Sequence, residues 1–288
     1  MSLSYFLQTL VTGMASGMVS YMMVSGMSLI ISGMNMVNFG QGAFFVLGTY
    51  LTYTLAAQLN FFVALLIVPV IVGCFGWFVE RAVRPLFGKN MLYIMLLTFG
   101  VAYMVCDLIV MFWGYSIRLL VLPRILKGSI AFFGIRFPIY YIFMIVVGSV
   151  IAFAFWFMIN KTKLGMLMRA IINDREMVAC LGVNVNRLFS IMFMIGMGIA
   201  GLGGVVNAPI TGMSPKEGLS VFGNIMPILL IGGMRNMNGC LPAALMVGLA
   251  NAFGVIVFPQ YYNLIPAALM VVCMFIRPQG IFTKKEAS

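Results

Sequence analysis

The chain has no histidine and only six acidic residues in 288. Without imidazoles or a cluster of carboxylates, metal-assisted hydrolysis and histidine general-base chemistry lose their usual ligands and bases, so catalysis on this chain is not expected. The five cysteines, Cys74, Cys106, Cys180, Cys240 and Cys273, stand singly and lack the CxxC spacing of a zinc or redox site. They read as small hydrophobes, and no cofactor is expected here. A GxxxxGK[ST] nucleotide loop is also missing, because Gly88-Lys89-Asn90 lacks both the preceding glycine and the hydroxyl. If ATP drives this protein, partner subunits bind it. The first residues hold no basic n-region and no small-residue cleavage site, so the first apolar run reads as a retained span.

Charge is scarce throughout: 8% of residues are charged and 63% hydrophobic, with a mean hydropathy of +1.10. That leaves too little polar surface to cover a soluble globule. A spanning helix needs ~20 largely apolar residues, which predicts one all-α polytopic membrane domain over 1–288 with about eight transmembrane helices, some bent or broken. The 27 methionines are spread through the apolar runs as packing residues rather than as a metal series. The net charge of +11 falls between the spans, where membrane orientation accounts for it without nucleic acid.

Apolar segments lie near 8 to 32, 41 to 59, 61 to 79, 91 to 113, 138 to 159, 188 to 212, 221 to 234, 239 to 258 and 260 to 276. The segment 221 to 234 is short, and 41 to 59 follows a Gly-rich bend, so either can be re-entrant. Placing 80–90, 160–187, the turn at Arg235 and the tail 277–288 on the cytoplasmic side puts twelve of the 17 Lys/Arg there. The C-terminus is then inside and the N-terminus outside. Loop 114–137 becomes external and holds Arg118, Arg124, Lys127 and Arg136 against the charge bias. Such a rim can attract carboxylates of an external docking protein, or it can be a solvated hairpin. Alternation over Ile130 to Phe137 permits a short extended segment.

Charge returns between Lys161 and Arg187. Asn173-Asp174-Arg175-Glu176 has the form of a capping box with Asn173 as N-cap, and Gly182 supplies a C-terminal stop. This predicts a short, separately ended helix over Asp174 to Leu181, either docked on a partner or lying on the lipid surface. Small residues at Gly13 and Gly17, and at Gly196, Ala200 and Gly204, predict close helix packing, within one subunit or between two. Pro209, Pro227, Pro242, Pro259 and Pro266 predict bent or interrupted helices in the C-terminal half. Polar residues at membrane depth are neutral amides: Asn35, Asn38, Gln41, Asn207, Asn224 and Asn251. They can line a path or glue helices together. Asp107 is the one acid within an apolar run, so no buried carboxylate suits a proton- or sodium-coupled carrier.

Several stretches together carry a family resemblance. They are Ser28-Leu29-Ile30 through Asn38-Phe39-Gly40-Gln41-Gly42 to Leu47-Gly48-Thr49-Tyr50; Gly165-Met166 with Arg169-Ala170; Asp174-Arg175-Glu176; Leu181-Gly182-Val183-Asn184-Val185; Ala200-Gly201-Leu202-Gly203-Gly204; and Gly232-Gly233 with Gly239. In this order they resemble the LivH-type permease subunits of branched-chain amino acid ABC importers. Gln41 stands where that family commonly has histidine, and Met177-Val178 replace the two alanines of the coupling motif. The resemblance implies a bacterial inner-membrane subunit, a LivM-like second permease, two cytoplasmic ATPase subunits and an external solute-binding protein. It also implies import of Leu, Ile and Val by alternating access. Asp174, Arg175, Glu176 and Gly182 would then form the coupling helix, and Asn38, Gln41, Gly42, Asn207 and Pro209 are the pathway candidates. Arg118, Arg124, Lys127 and Arg136 are those for the docking protein. Urea or short-amide transport, and an ATP-independent carrier or channel, stay open.

Overall fold

In an apolar solvent the backbone must satisfy its own hydrogen bonds, which turns long uncharged runs into helices. The computed structural model describes residues 3–87, 89–132, 135–257, 259–261, 264–277 and 280–282, so Lys284 and Lys285 of the tail lie outside the described residues. Within them eleven α-helices follow one another: α1 Leu3–Met34, α2 Gly40–Gln58, α3 Phe61–Val83, α4 Met91–Trp113, α5 Ile139–Lys161, α6 Lys163–Asn173, α7 Arg175–Cys180, α8 Val185–Asn207, α9 Gly218–Gly232, α10 Cys240–Val257 and α11 Ile265–Ile276. Each of the nine apolar segments is largely taken up by one of these helices. The stretch expected as a charged loop, 160–187, is mostly helical as well, because α6 is strongly amphipathic and folds its apolar face back onto the bundle.

Six of the helices are long and apolar enough to cross a membrane by length and composition. Of the three expected spans outside these six, α11 has only 12 residues, and α9 and α2 differ each for its own reason. With 15 residues α9 is about 22 Å long against the ~30 Å hydrocarbon core. At 19 residues α2 is nearly long enough, but it carries the buried Gln41, Thr49 and Thr52. Its surroundings are other helices.

The centre of the bundle is α1 and α8. Helix α1 packs on α10, α8 and α5, while α8 also packs on α3 and α2. Glycines let these backbones touch. A Cβ on Gly26 would collide with the Gly196 carbonyl, and one on Gly204 with the Phe45 carbonyl. A Cβ on Gly13 or Gly17 would come within about 3 Å of Leu249 or Leu245 of α10. Both small-residue stripes therefore pack within one subunit. Of the C-terminal prolines only Pro227 interrupts a helix interior. Pro242 and Pro266 occupy first turns, where the missing N–H costs nothing, and Pro209 and Pro259 lie in turns after α8 and α10, so the C-terminal half has helices bent or interrupted at proline, as the sequence predicts.

Between α4 and α5 the chain forms an antiparallel hairpin, β1 Ser129–Phe132 and β2 Ile135–Pro138, in register Ser129↔Pro138 to Phe132↔Ile135. Gln8 at the start of α1 donates to the Arg136 carbonyl at 3.1 Å, fixing the hairpin at that end of the bundle. Helices α6 and α7 lie at the other end, packed against α5 and α8 through Phe155, Met168, Val178 and Phe189.

Candidate functional site

The short charged helix is α7, and its cap is one residue later than the sequence spacing predicts. Asn173 still belongs to α6, whereas Asp174 adopts an extended backbone and its Oδ1 accepts from the N–H groups of Glu176 and Met177, both at 3.0 Å. An extended φ turns the Asp174 carboxylate over the exposed first-turn amides, which the already helical Asn173 cannot do. Gly182 ends the segment in the left-handed region at φ +80, with its N–H on the Ala179 carbonyl at 3.0 Å. Val178 is buried, and the Arg175 guanidinium lies 5.0 Å from the Phe189 ring centre. Glu176, Met177 and Leu181 face outward, giving α7 an acid beside two exposed apolar side chains.

The corner before α7 explains another part of the resemblance. A Cβ on Gly165 would collide with the carbonyls of Met158 and Ile159, so only glycine lets α6 fold this tightly onto α5. Arg169 then donates to the Ile159 carbonyl, closing the end of α5 with a cation.

A cavity of about 250 Å³ lies at the hairpin half of the bundle, between α1, α5, α8 and α9. Its polar lining is Thr12, Ser16, Ser20, Tyr141, Asn207, Thr211 and Asn224, and its apolar lining includes Val19, Met23, Met144 and Ile225. None of the lining side chains carries a charge. Asn207 is the last residue of α8, and its Oδ1 accepts from Thr211 Oγ1 at 3.5 Å.

Of the five pathway candidates, Asn207 is the one in this lining. Pro209 sits in the adjoining turn. Asn38 and Gln41 are fully buried one layer behind: Asn38 Oδ1 accepts from the Gly40 N–H at 3.0 Å, and Gln41 Nε2 donates to the Met23 carbonyl at 3.3 Å and the Gly196 carbonyl at 3.1 Å. Gln41 Oε1 has no hydrogen-bond partner among the described residues. Gly42 brings α2 against the Gly218 carbonyl of α9. Asn224, grouped with the intramembrane amides but not among the pathway candidates, is in the lining.

At the hairpin end, Arg118 is engaged. Its Nη1 donates to the Tyr53 hydroxyl at 3.3 Å and Nη2 to the Trp113 carbonyl at 3.4 Å, while its guanidinium lies over the Tyr53 ring. It fastens the loop to α2 and α4. Arg124, Lys127 and Arg136 are exposed, with Leu126 buried beneath them as an anchor.

Sequence reasoning passed over Glu80, assigned to a loop. It is fully buried on α3, in the one ion pair among the described residues. The Glu80-Arg84 spacing of four is its only sequence signal. Asp107, by contrast, is exposed on α4.

Residues 9–274 match the family described as branched-chain amino acid transport system / permease component. The high-affinity branched-chain amino acid transport system permease protein BraD of Pseudomonas aeruginosa is 26% identical over 303 residues, covering 98% of this chain and 97% of that one. The correspondingly named LivH of Escherichia coli K12 is 24% identical over 303 residues, with the same coverage of 98% and 97%. The ribose import permease protein RbsC of Haemophilus influenzae is 24% identical over 145 residues, 48% of this chain and 45% of its own. In fold, the chain is similar to the solved structure of PsaBC from Streptococcus pneumoniae in complex with Fab, with a TM-score of 0.53 at 12% identity, over 96% of this chain and 94% of that one.

Proposed function

The chain belongs to the branched-chain amino acid transport system permease family, and from that premise we propose that it carries branched-chain amino acids through the membrane as one subunit of an ATP-driven importer. The observation that carries this reading is the uncharged cavity between α1, α5, α8 and α9. An aliphatic side chain fits against Val19, Met23, Met144 and Ile225, while hydroxyls and amides can meet both ammonium and carboxylate without favouring either charge. A fixed charge would bind one end of a zwitterion and repel the other.

In this reading α7 takes up the motion of an ATPase subunit, with Asp174 holding the helix, Glu176 facing the partner and Gly182 ending it. Two such ATPases and a LivM-like second permease complete the assembly, and the substrate site alternates between the two sides. Arg124, Lys127 and Arg136 meet an external solute-binding protein, with Arg118 supporting their loop. The N-terminus and hairpin are then outside, and α7 and the C-terminus are cytoplasmic in the bacterial inner membrane.

The test is ATP-dependent uptake of labelled leucine by the reconstituted complex. Asn207→Leu with Asn224→Leu is expected to lower uptake about tenfold or more by removing two polar partners. Unchanged uptake would remove the cavity from the path, and leucine uptake without ATP would remove the ATP-driven mechanism. The neutral lining equally suits a short amide. Urea uptake that leucine does not inhibit would favour that substrate.

A further inference from the structure

A second cavity, of about 450 Å³, lies at the α7 end of the bundle, and three cations from separate segments line it: Lys89 before α4, Arg175 on α7 and Arg235 on the turn after α9. None has an acid within ion-pair distance among the described residues, where Glu80 and Arg84 form the one such pair. Asp174 and Glu176 flank Arg175 in sequence but do not line the cavity, and the Asp174 carboxylate is occupied in capping α7. Three positive charges therefore share one concave space without compensation.

Two of the three cations are held in place. Arg235 Nη2 donates to Asn35 Oδ1 at 2.8 Å, and Ser32 Oγ donates to the Arg235 carbonyl at 3.2 Å, so both ends of that residue are tied to the close of α1. Asn35 itself adopts φ +51, a left-handed conformation that asparagine tolerates, and presents its amide to the guanidinium. Arg175 is steadied over Phe189. The remaining wall is apolar at Met91 and Ile94; Met91 is exposed at the rim, and on the next face of α4 Leu92 and Leu96 form an exposed apolar strip beside it. Helix α4 is among those long and apolar enough to cross a membrane.

A cationic pocket opening onto an apolar strip matches an amphiphile with a negative head. We propose that this cavity binds the phosphate of an anionic phospholipid, with the phosphodiester on Lys89, Arg175 and Arg235 and an acyl chain along Met91, Leu92 and Leu96. Free phosphate shares the head chemistry but makes no use of the strip. Basic pockets between membrane helices recognise anionic headgroups in this way, each cation near the lipid contributing about a fivefold factor. The bound lipid bridges α4, α7 and the turn after α9. The site stands whether or not α7 meets an ATPase.

The experiment is native mass spectrometry and thermal unfolding of the full chain in neutral detergent, titrated with phosphatidylglycerol, phosphatidylcholine or inorganic phosphate. Wild type is expected to retain phosphatidylglycerol selectively and to melt higher with it. The triple variant Lys89→Gln, Arg175→Gln, Arg235→Gln is expected to bind it about a hundredfold more weakly. Asn35→Asp, which sets a carboxylate against Arg235 at a position that accepts aspartate, is expected to weaken binding about fivefold without lowering the lipid-free melting temperature. It decides the matter if the triple variant does not fold. Equal retention of phosphatidylcholine, or undiminished binding in the variants, overturns the site and leaves the cations to a partner's carboxylates. Equal stabilisation by inorganic phosphate overturns the lipid.

Discussion

Ser190 Oγ donates to Glu80 Oε2 at 2.8 Å across 110 residues of chain. Arg84 closes the triangle, donating to both Glu80 oxygens at 3.0 and 2.8 Å and to Ser190 Oγ at 2.7 Å. Ser190 stands in the second turn of α8, shortly after α7 ends. The three side chains thus fasten the end of α3 to the segment that follows the short charged helix.

Because Glu80 is fully buried and the Arg84 side chain is 28% exposed, the two partners are not equivalent. Arg84→Gln leaves a buried carboxylate with one hydroxyl donor and is expected to cost about 3 kcal/mol. Glu80→Gln leaves a guanidinium that can reach water and is expected to cost less. Thermal unfolding of the full chain in detergent ranks them; equal losses would mean the carboxylate is hydrated.

The displaced cap on α7 separates two neighbouring residues. Asp174→Ala removes the acceptor of two amides and is expected to destabilise the helix by about 1 kcal/mol. Asn173→Ala should change little. In the reconstituted complex, ATP-driven uptake is expected to fall for the first and persist for the second.

Glycines in the bundle fall into two kinds. Gly204→Ala forces a methyl into the Phe45 carbonyl and is expected to cost about 1–3 kcal/mol, seen as lower yield and melting temperature. Gly100, with nothing within 4 Å of a built Cβ, should accept alanine with no loss.

Gln41 offers a contrast between shape and charge. Gln41→Leu loses two hydrogen bonds to carbonyls but also removes the unpartnered Oε1, so a change within about 1 kcal/mol is expected. Gln41→Glu places a charge in that packing with no cation beside it and is expected to cost about 3 kcal/mol or more unless protonated. Melting temperatures of the purified variants test both, and leucine uptake by Gln41→Leu tests whether the amide touches substrate.

Hydropathy located every long helix, because lipid enforces one solution on an uncharged run; α4 begins and ends at the residues where its apolar segment does. Small-residue spacing likewise foretold that α1 and α8 would pack closely on other helices, though not that they would be central. Charge was a poorer guide to position. It placed Glu80 in a loop, since the Arg84 partner and the Ser190 hydroxyl that permit its burial meet only in three dimensions. The cap at Asp174 was read one residue early, because a capping box scores side-chain types while the bond depends on which residue leaves helical φ. Among the amides, Asn207 and Asn224 face the cavity, while Asn38 faces Met197 and Gln41 the Gly196 carbonyl, both on α8, a division made by packing that composition does not record.

The burial of α2 also has a bearing on how the chain is made. A segment carrying Gln41, Thr49 and Thr52 and five helix-to-helix faces partitions poorly into lipid by itself, so during synthesis it would linger at the water boundary. Its partners on either side differ in timing: α1 emerges before it, whereas the Gly196 carbonyl that receives Gln41 is translated more than 150 residues later. The ribosome therefore completes most of the protein before α2 can reach its final seat.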